Sequence, residues 1–323
     1  MTLAALAAVG TLARALPSSM AALPYLPVVV ALSPWFAPVA ALSLVLSLVD
    51  RRWLSSLVAV TCLATQVSWQ LPFFEPSATL PAGATRSITT ASPNPIDAYA
   101  RVMTLNVYKG SADPASIVRL VNEERIEVLA LQETTDGFVR ALEAAGIGRY
   151  LPYSTVASSD GVYGNGLWSV TPLADPAHDE VGSSASAMPA GTVAFDDGRA
   201  QVRFVSVHTT SPTRGYWSRW KRSLDELGAM RARGDVRYVF MGDFNATYDH
   251  APFRDFLGDR FSDAALRYGH GLMFTWPANR SGVPRFAAID HVVVDRGVTA
   301  GRVEVRAVPG SDHAALLATI AVS

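Results

Sequence analysis

Apolar and polar positions divide the chain into two parts with different periods. The first 71 residues are apolar with few breaks, and the remainder alternates short apolar runs with amphipathic stretches. Leu26 to Val49 is 24 residues without a charge, long enough to cross a hydrocarbon core. Pro27, Pro34 and Pro38 predict a kink in its first half. Trp53 to Leu71 is a second uncharged run of 19 residues, polar only near its end at Gln66, Ser68 and Gln70. Between them lies the tight loop Asp50-Arg51-Arg52, whose two arginines predict a cytoplasmic side. The second span then exits on the far side. This predicts a multi-pass protein of the cell membrane whose following domain is extracytoplasmic. Residues 3–16 are a third apolar stretch, short and interrupted by Arg14, which leaves two or three transmembrane helices open. No basic residue precedes that stretch, which disfavours a cleaved signal peptide.

Over 72–96 no apolar period survives among Pro72, Pro76, Pro81, Pro93 and Pro95, which predicts an extended linker. The anchor is therefore placed at 1–71 and a folded domain at 97–323. In that domain Arg101–Val107 reads as a strand, and Asp113-Pro114 opens a helix with an N-cap and a proline at the first helical position. Strands are expected at 127–131, 165–169, 191–195, 201–209, 236–240 and 287–295, with a last one after Ser311. A helix is expected from Trp217 to Ala232.

Composition adds two constraints. The single cysteine, Cys62, excludes a disulfide within the chain. Residues 97–323 hold 23 Lys plus Arg against 26 Asp plus Glu, a net of −3, without the basic excess of a non-specific duplex-DNA binder.

The polar residues fall where the apolar runs end. Asn106, Glu133, His208, Asp243, Asn245, Asp290, Asp312 and His313 all lie at strand ends or on the loops after them. Loops at one edge of a sheet sandwich converge in space, which predicts one acidic, amide-bearing and imidazole-bearing site. Oxygen donors without a thiolate suit a hard cation, Mg²⁺ or Mn²⁺. Such a cation polarises a phosphoryl oxygen, and the histidines can hold phosphate or move protons. Asp290 can orient one imidazole. The chemistry implied is metal-assisted hydrolysis of a phosphate ester.

The segments TLNVYKG, LQE, VSVHTT, GDFNAT, IDHVVV and SDHAAL occur in this order, from about Arg101 to Val322. Together they resemble the endonuclease/exonuclease/phosphatase superfamily, which includes DNase I-like nucleases, AP endonucleases, neutral sphingomyelinases and inositol polyphosphate 5-phosphatases. The resemblance implies an α/β fold, a four-layer α/β/β/α sandwich, here preceded by transmembrane helices. It implies that Glu133 ligates the metal with Asn106 beside it and Asp312 joining the metal site. Asp243 would position or activate the attacking water, Asn245 would bind the scissile phosphate, and Asp290 would pair with His313. His208 stands where DNase I and sphingomyelinase relatives have a histidine and AP endonucleases a tyrosine, which disfavours the latter. YGNGLWSVTPL is similar to another family segment, so Asn165 is a candidate for lining the site. DNase I-like relatives have an acidic partner for this histidine, and Asp160 is the candidate offered here. Trp276, on a loop that faces substrate in relatives, is a further candidate.

Arg214, Arg219, Lys221 and Arg222 interleave with Tyr216, Trp217 and Trp220 directly after His208. Such a stretch can hold an anionic substrate or rest on a membrane surface. The alternative is an amphipathic helix with buried tryptophans and solvated arginines, and the choice is left open for Arg214. The expected activity is that of a membrane-anchored phosphoesterase, more specifically a phosphodiesterase. Its substrate would be a lipid head group, an envelope glycolipid or nucleic acid, and its other partner the lipid bilayer; no protein partner is inferred. An extracytoplasmic nuclease and a catalytically silent binding module are the alternatives.

Overall fold

The structure is a computed structural model and describes residues 1–87, 94 and 96–323; Pro93 and Pro95 of the expected linker lie outside the described residues. The strands are β1 (Tyr99–Asn106), β2 (Val128–Gln132), β3 (Tyr153–Ala157), β4 (Asn165–Ser169), β5 (Ala174–Ala177) and β6 (Ala190–Phe195). They continue as β7 (Ala200–His208), β8 (Tyr238–Asp243), β9 (Ser262–Asp263), β10 (Asp290–Val294), β11 (Val298–Arg306) and β12 (Ala315–Val322). The helices are α1 (Thr2–Ala15), α2 (Leu26–Ala31), α3 (Phe36–Val49), α4 (Trp53–Gln70) and α5 (Ala82–Ser87). In the domain they are α6 (Pro114–Glu123), α7 (Asp136–Ala144), α8 (Trp217–Gly228), α9 (Ala251–Leu257) and α10 (Ala264–Tyr268).

Two mixed sheets face each other, with orders β11-β12-β1-β2-β4-β3 and β5-β6-β7-β8-β10-β9. Because successive strand residues point to opposite faces, each strand supplies two cores. Val102, Ala130, Phe204, Met241 and Val292 meet between the sheets. Met103, Leu105 and Leu129 point outward and pack under Ile117 and Val121 of α6 and Phe138 of α7. On the other sheet, Val207 and Phe240 pack under Trp220 and Leu224 of α8 and Phe253 and Phe256 of α9. The result is an α/β/β/α sandwich. Helix α6 starts where the sequence places it: the Asp113 carboxylate accepts from Ser116 N at 3.0 Å and Pro114 follows as the first helical residue.

The N-terminal part differs from the expectation in two respects. Leu26–Val49 is not one helix: it breaks at Leu32, passes through a short 3₁₀ turn at Ser33–Trp35, and restarts as the 14-residue α3. Pro34 lacks the N–H that a continuous helix needs, and Pro27 and Pro38 each fall where a helix is starting. Among the described residues one helix, Trp53–Phe74 of 22 residues, is long and apolar enough to cross a membrane; Thr2–Ala15 and Ser33–Val49 are shorter apolar helices. Nor are residues 71–87 an extended tether. Leu71–Phe74 form a 3₁₀ turn, Gly271 N donates to Phe73 O, and Ser77 N and Ala78 N both reach Arg267 O.

Helices α1, α3 and α4 pack together with small and polar side chains inside. Ala7, Ala40 and Cys62 meet in the centre, Ser47 and Ser56 share a hydrogen bond of 2.8 Å, and Gln66 Nε2 donates to Thr11 Oγ1 at 3.2 Å. Leu12, Val45, Leu54 and Leu57 face outward, each more than half exposed. A bundle stabilised by water would place those leucines inside.

The domain sits on the end of this bundle opposite Arg51-Arg52. Arg14, buried at the end of α1, pairs with Asp249 and lies over the Trp69 ring at 4.0 Å; Gln70 Nε2 donates to the same carboxylate at 3.2 Å. His250 Nε2 contacts Pro27 O at 2.8 Å, and Trp35 Nε1 donates to Phe286 O at 3.0 Å.

Candidate active site

Strand register assembles the site. In the second sheet, His208 of β7 pairs with Asp243 of β8, and Asp243 with Asp290 of β10, so one row across three strands ends in imidazole, carboxylate and carboxylate. In the first sheet, Asn106 pairs with Gln132 and Gln132 with Asn165 at the same edge. β8 can lie this close to β7 because residue 242 is glycine: a Cβ there would stand 1.9 Å from Val207 O. Glu133 follows β2 in the left-handed region at φ 59°, a conformation unusual for a residue with a side chain and one that aims its carboxylate at the row.

The row is closed by short contacts. Asn106 Nδ2 donates to Glu133 Oε1 at 3.1 Å and to Asp243 Oδ2 at 3.0 Å, bridging the two carboxylates. Glu133 Oε2 accepts from Lys109 N at 2.8 Å. Asn245 N donates to Asp243 Oδ1 at 2.8 Å, a turn that Asn forms readily at its φ of 47°. The Asn245 amide nitrogen donates to Thr209 O, and buried Trp220 donates to Asn245 O at 2.9 Å. His313 Nδ1 lies 2.8 Å from Asp290 Oδ2, and its Nε2 faces Asp243 Oδ2 at 3.7 Å. His208 Nε2 stands 3.7 Å from the same Asp243 oxygen and 4.0 Å from Glu133 Oε1. Asp243 is therefore flanked by both imidazoles.

Electrostatics follow from burial. Burial opposes a charged His313, but Asp290 and Asp243 outweigh it and push its pKa up to about 10, so the ring is an imidazolium at neutral pH. The Asp243 carboxyl is raised, first by burial and then by Asp290, against the pull of the two histidines.

Asp243, Asp290 and His313 bring ligand-capable atoms within 4.8 Å of one another. With His313 held charged against Asp290, that trio is an ion-paired dyad beside a carboxylate. Of the expected metal ligands, Glu133 and Asp312 offer carboxylate oxygens and Asp243 joins them, whereas Asn106 turns its Nδ2 to Glu133 and Asp243 while its Oδ1 accepts from Tyr108 N at 2.9 Å. Asp312 Oδ1 is buried without a hydrogen-bond partner, as a carboxylate oxygen kept for a cation would be. By donor chemistry these carboxylate oxygens suit a divalent ion.

The remaining candidates divide. Trp276 lines the same cavity, about 720 Å³ in volume, as His208, Asp243, Asn245 and His313. Asn165 does not line it. It is buried behind the wall, donating to Ser186 Oγ, which in turn donates to His208 O, so it supports the histidine strand. Arg214 is exposed, in the turn before α8, and outside the cavity lining, while Trp220 is fully buried and Trp217 half-buried. Asp160 is exposed, and His208 Nδ1 has no hydrogen-bond partner among the described residues, so Asp160 is not its acid. Tyr163 and His250, which the sequence did not single out, also line the cavity, as does Tyr216 of the basic-aromatic stretch. A second cavity of about 880 Å³ lies at the far end of the second sheet, where Arg260 and Arg203 are paired with Asp295 and Glu180.

The Endonuclease/Exonuclease/phosphatase family model matches residues 103–313, spanning every motif from Asn106 to His313. The chain belongs to that family. It is thus a metal-dependent hydrolase of phosphate ester bonds. Truncated Caenorhabditis elegans TDP2 is similar in structure at TM-score 0.56 and 16% identity, covering 69% of this chain and 98% of that one. D. rerio TDP2 complexed with a single-strand DNA product gives 0.55 and 18%, over 69% and 99%. A family protein from Leptotrichia buccalis gives 0.54 and 14%, over 68% and 99%. No curated protein matches the sequence.

Proposed function

We propose that this protein is a membrane-anchored, Mg²⁺-dependent phosphodiesterase whose catalytic domain lies outside the cytoplasm. The observation that carries the chemistry is the row His208–Asp243–Asp290 with His313 paired to Asp290 at 2.8 Å. Glu133, Asp243 and Asp312 would hold the cation, which when bound polarises a phosphoryl oxygen. Asp243 orients a water for attack on phosphorus. The water gives a proton to Asp243 as its oxygen forms the new P–O bond, the bond to the leaving alcohol breaks, and the departing alkoxide takes a proton from solvent. Charged His313 and Asn245 hold the phosphoryl oxygens, and His208 stands on the other side of Asp243.

The inside-out bundle supports anchoring, because small and hydroxyl side chains inside with leucines outside is the packing expected in lipid. Neutralisation of Arg14 by Asp249 removes the charge objection to α1 as a third span, and the domain's position opposite Arg51-Arg52 suits an extracytoplasmic placement. An extracytoplasmic nuclease is the second reading, favoured by the likeness to a TDP2 solved with a DNA product.

The test uses the full chain in detergent with Mg²⁺ or Mn²⁺ and bis-p-nitrophenyl phosphate, wild type beside Asp243→Ala and His313→Ala. Each variant is expected to lose about 10²–10⁴-fold in turnover. Turnover that survives in both variants, or is equal in EDTA, would remove the assignment. Reporter fusions after Leu71 test topology, and a cytoplasmic signal would reverse it.

A further inference from the structure

We propose that α2 forms part of the substrate site, and that the substrate is a phosphate ester carrying an apolar chain, a membrane lipid rather than a polynucleotide. The proposal rests on the phosphoesterase assignment above and names its substrate class.

The cavity is lined by two kinds of group: the catalytic His208, Asp243 and His313, and an apolar wall of Pro27, Val28, Ala31 and Leu32 from α2 with Phe286 and Ile289. Among the described residues no Arg or Lys lines it. A polynucleotide brings a phosphate with every residue and needs several cations along its path. One phosphate needs only the imidazoles and amide already present. A mostly apolar cavity with a few convergent polar groups is what a single amphiphile fills.

The wall is fixed in place. Pro27 O is held by His250, Trp35 is hydrogen-bonded to Phe286 O and stacked on Phe274 with centroids 5.7 Å apart, and Ala21 is buried in the α8/α9 core. It also leads somewhere. Ala31 and Leu32 pass through Ser33–Trp35 directly into α3, whose outer face exposes Leu42, Val45 and Leu46. An apolar chain entering along α3 reaches the α2 wall with its ester at the histidines.

The test measures kcat/KM of the full chain, in one detergent with Mg²⁺, on p-nitrophenyl alkyl phosphates from methyl to hexyl. Wild type is expected to gain about fourfold per methylene, and Val28→Asn with Leu32→Asn to flatten that slope. Unchanged thermal unfolding of the double variant would show that it folds. Because detergent partitioning is common to both proteins, the difference between slopes reports the wall. A wild-type slope no steeper than the variant's, or plasmid DNA nicked faster than the hexyl ester is cleaved, overturns the proposal and leaves the phosphoesterase assignment standing. No turnover of any ester, methyl included, overturns both.

Discussion

His250 joins the domain to α2 in a form that acid should destroy. Its ring is buried, Thr247 N donates to Nδ1 at 2.8 Å, and Nε2 meets Pro27 O at 2.8 Å. Both contacts are satisfied by the neutral tautomer with its proton on Nε2. A second proton on Nδ1 would face the Thr247 N–H. Burial lowers the pKa from 6.5 to about 4, outweighing the two backbone contacts. Between those values the unfolded chain binds more protons than the folded one, so stability is full above pH 6.5 and falls as pH drops towards 4. At pH 5 the loss from this one residue is about 2 kcal/mol, or about 4–8 °C in Tm for a domain of this size. The assay is thermal unfolding of the full chain in detergent across pH 7 to 5, wild type beside His250→Gln, which cannot titrate. Other carboxylates shift both proteins alike, so the wild type should lose the extra 2 kcal/mol or so as pH falls. Parallel curves would refute the buried neutral imidazole and, with it, the account of how α2 is held.

Two further outcomes follow from other buried charges. Arg14→Met should cost about 3–5 kcal/mol by leaving the Asp249 carboxylate buried beside Gln70 alone. Arg14→Met with Asp249→Leu should restore most of it in thermal unfolding, whereas additive losses would mean that the two residues act separately. Glu127 is pushed up to about 8, mainly by burial and then by Asp97. The folded state therefore holds its proton longer than the unfolded one, and its stability falls as pH rises from 4.5 to 8. Glu127→Gln should be more stable than wild type by a few kcal/mol at pH 8.5, and identical melting there would contradict the shift.

Local signals in the sequence determined the strands, the α6 cap and the motif set. Short apolar runs mark β1 and β8 because both of their faces are buried, one between the sheets and one under helices. Residues at the ends of those runs became the site because strand ends on one edge converge, so Asn106, Glu133, His208, Asp243, Asp290 and His313 were legible before any coordinates. Short edge strands such as β5 and β9, and the short helices α9 and α10, were not, since two to seven residues carry too little period to read.

What only the tertiary structure decided is relational. Uncharged length could not show that Leu26–Val49 breaks at Ser33–Trp35, because a proline-bearing run can also continue as a kinked helix. Nor could it show that α2 comes to rest against the catalytic cavity. That depends on His250, Asp249 and Phe286, residues more than 200 positions away that meet Pro27, Arg14 and Trp35 only once both sheets have formed. The chemistry is written in local patterns, whereas what reaches it is set by contacts between distant segments, which no local pattern records.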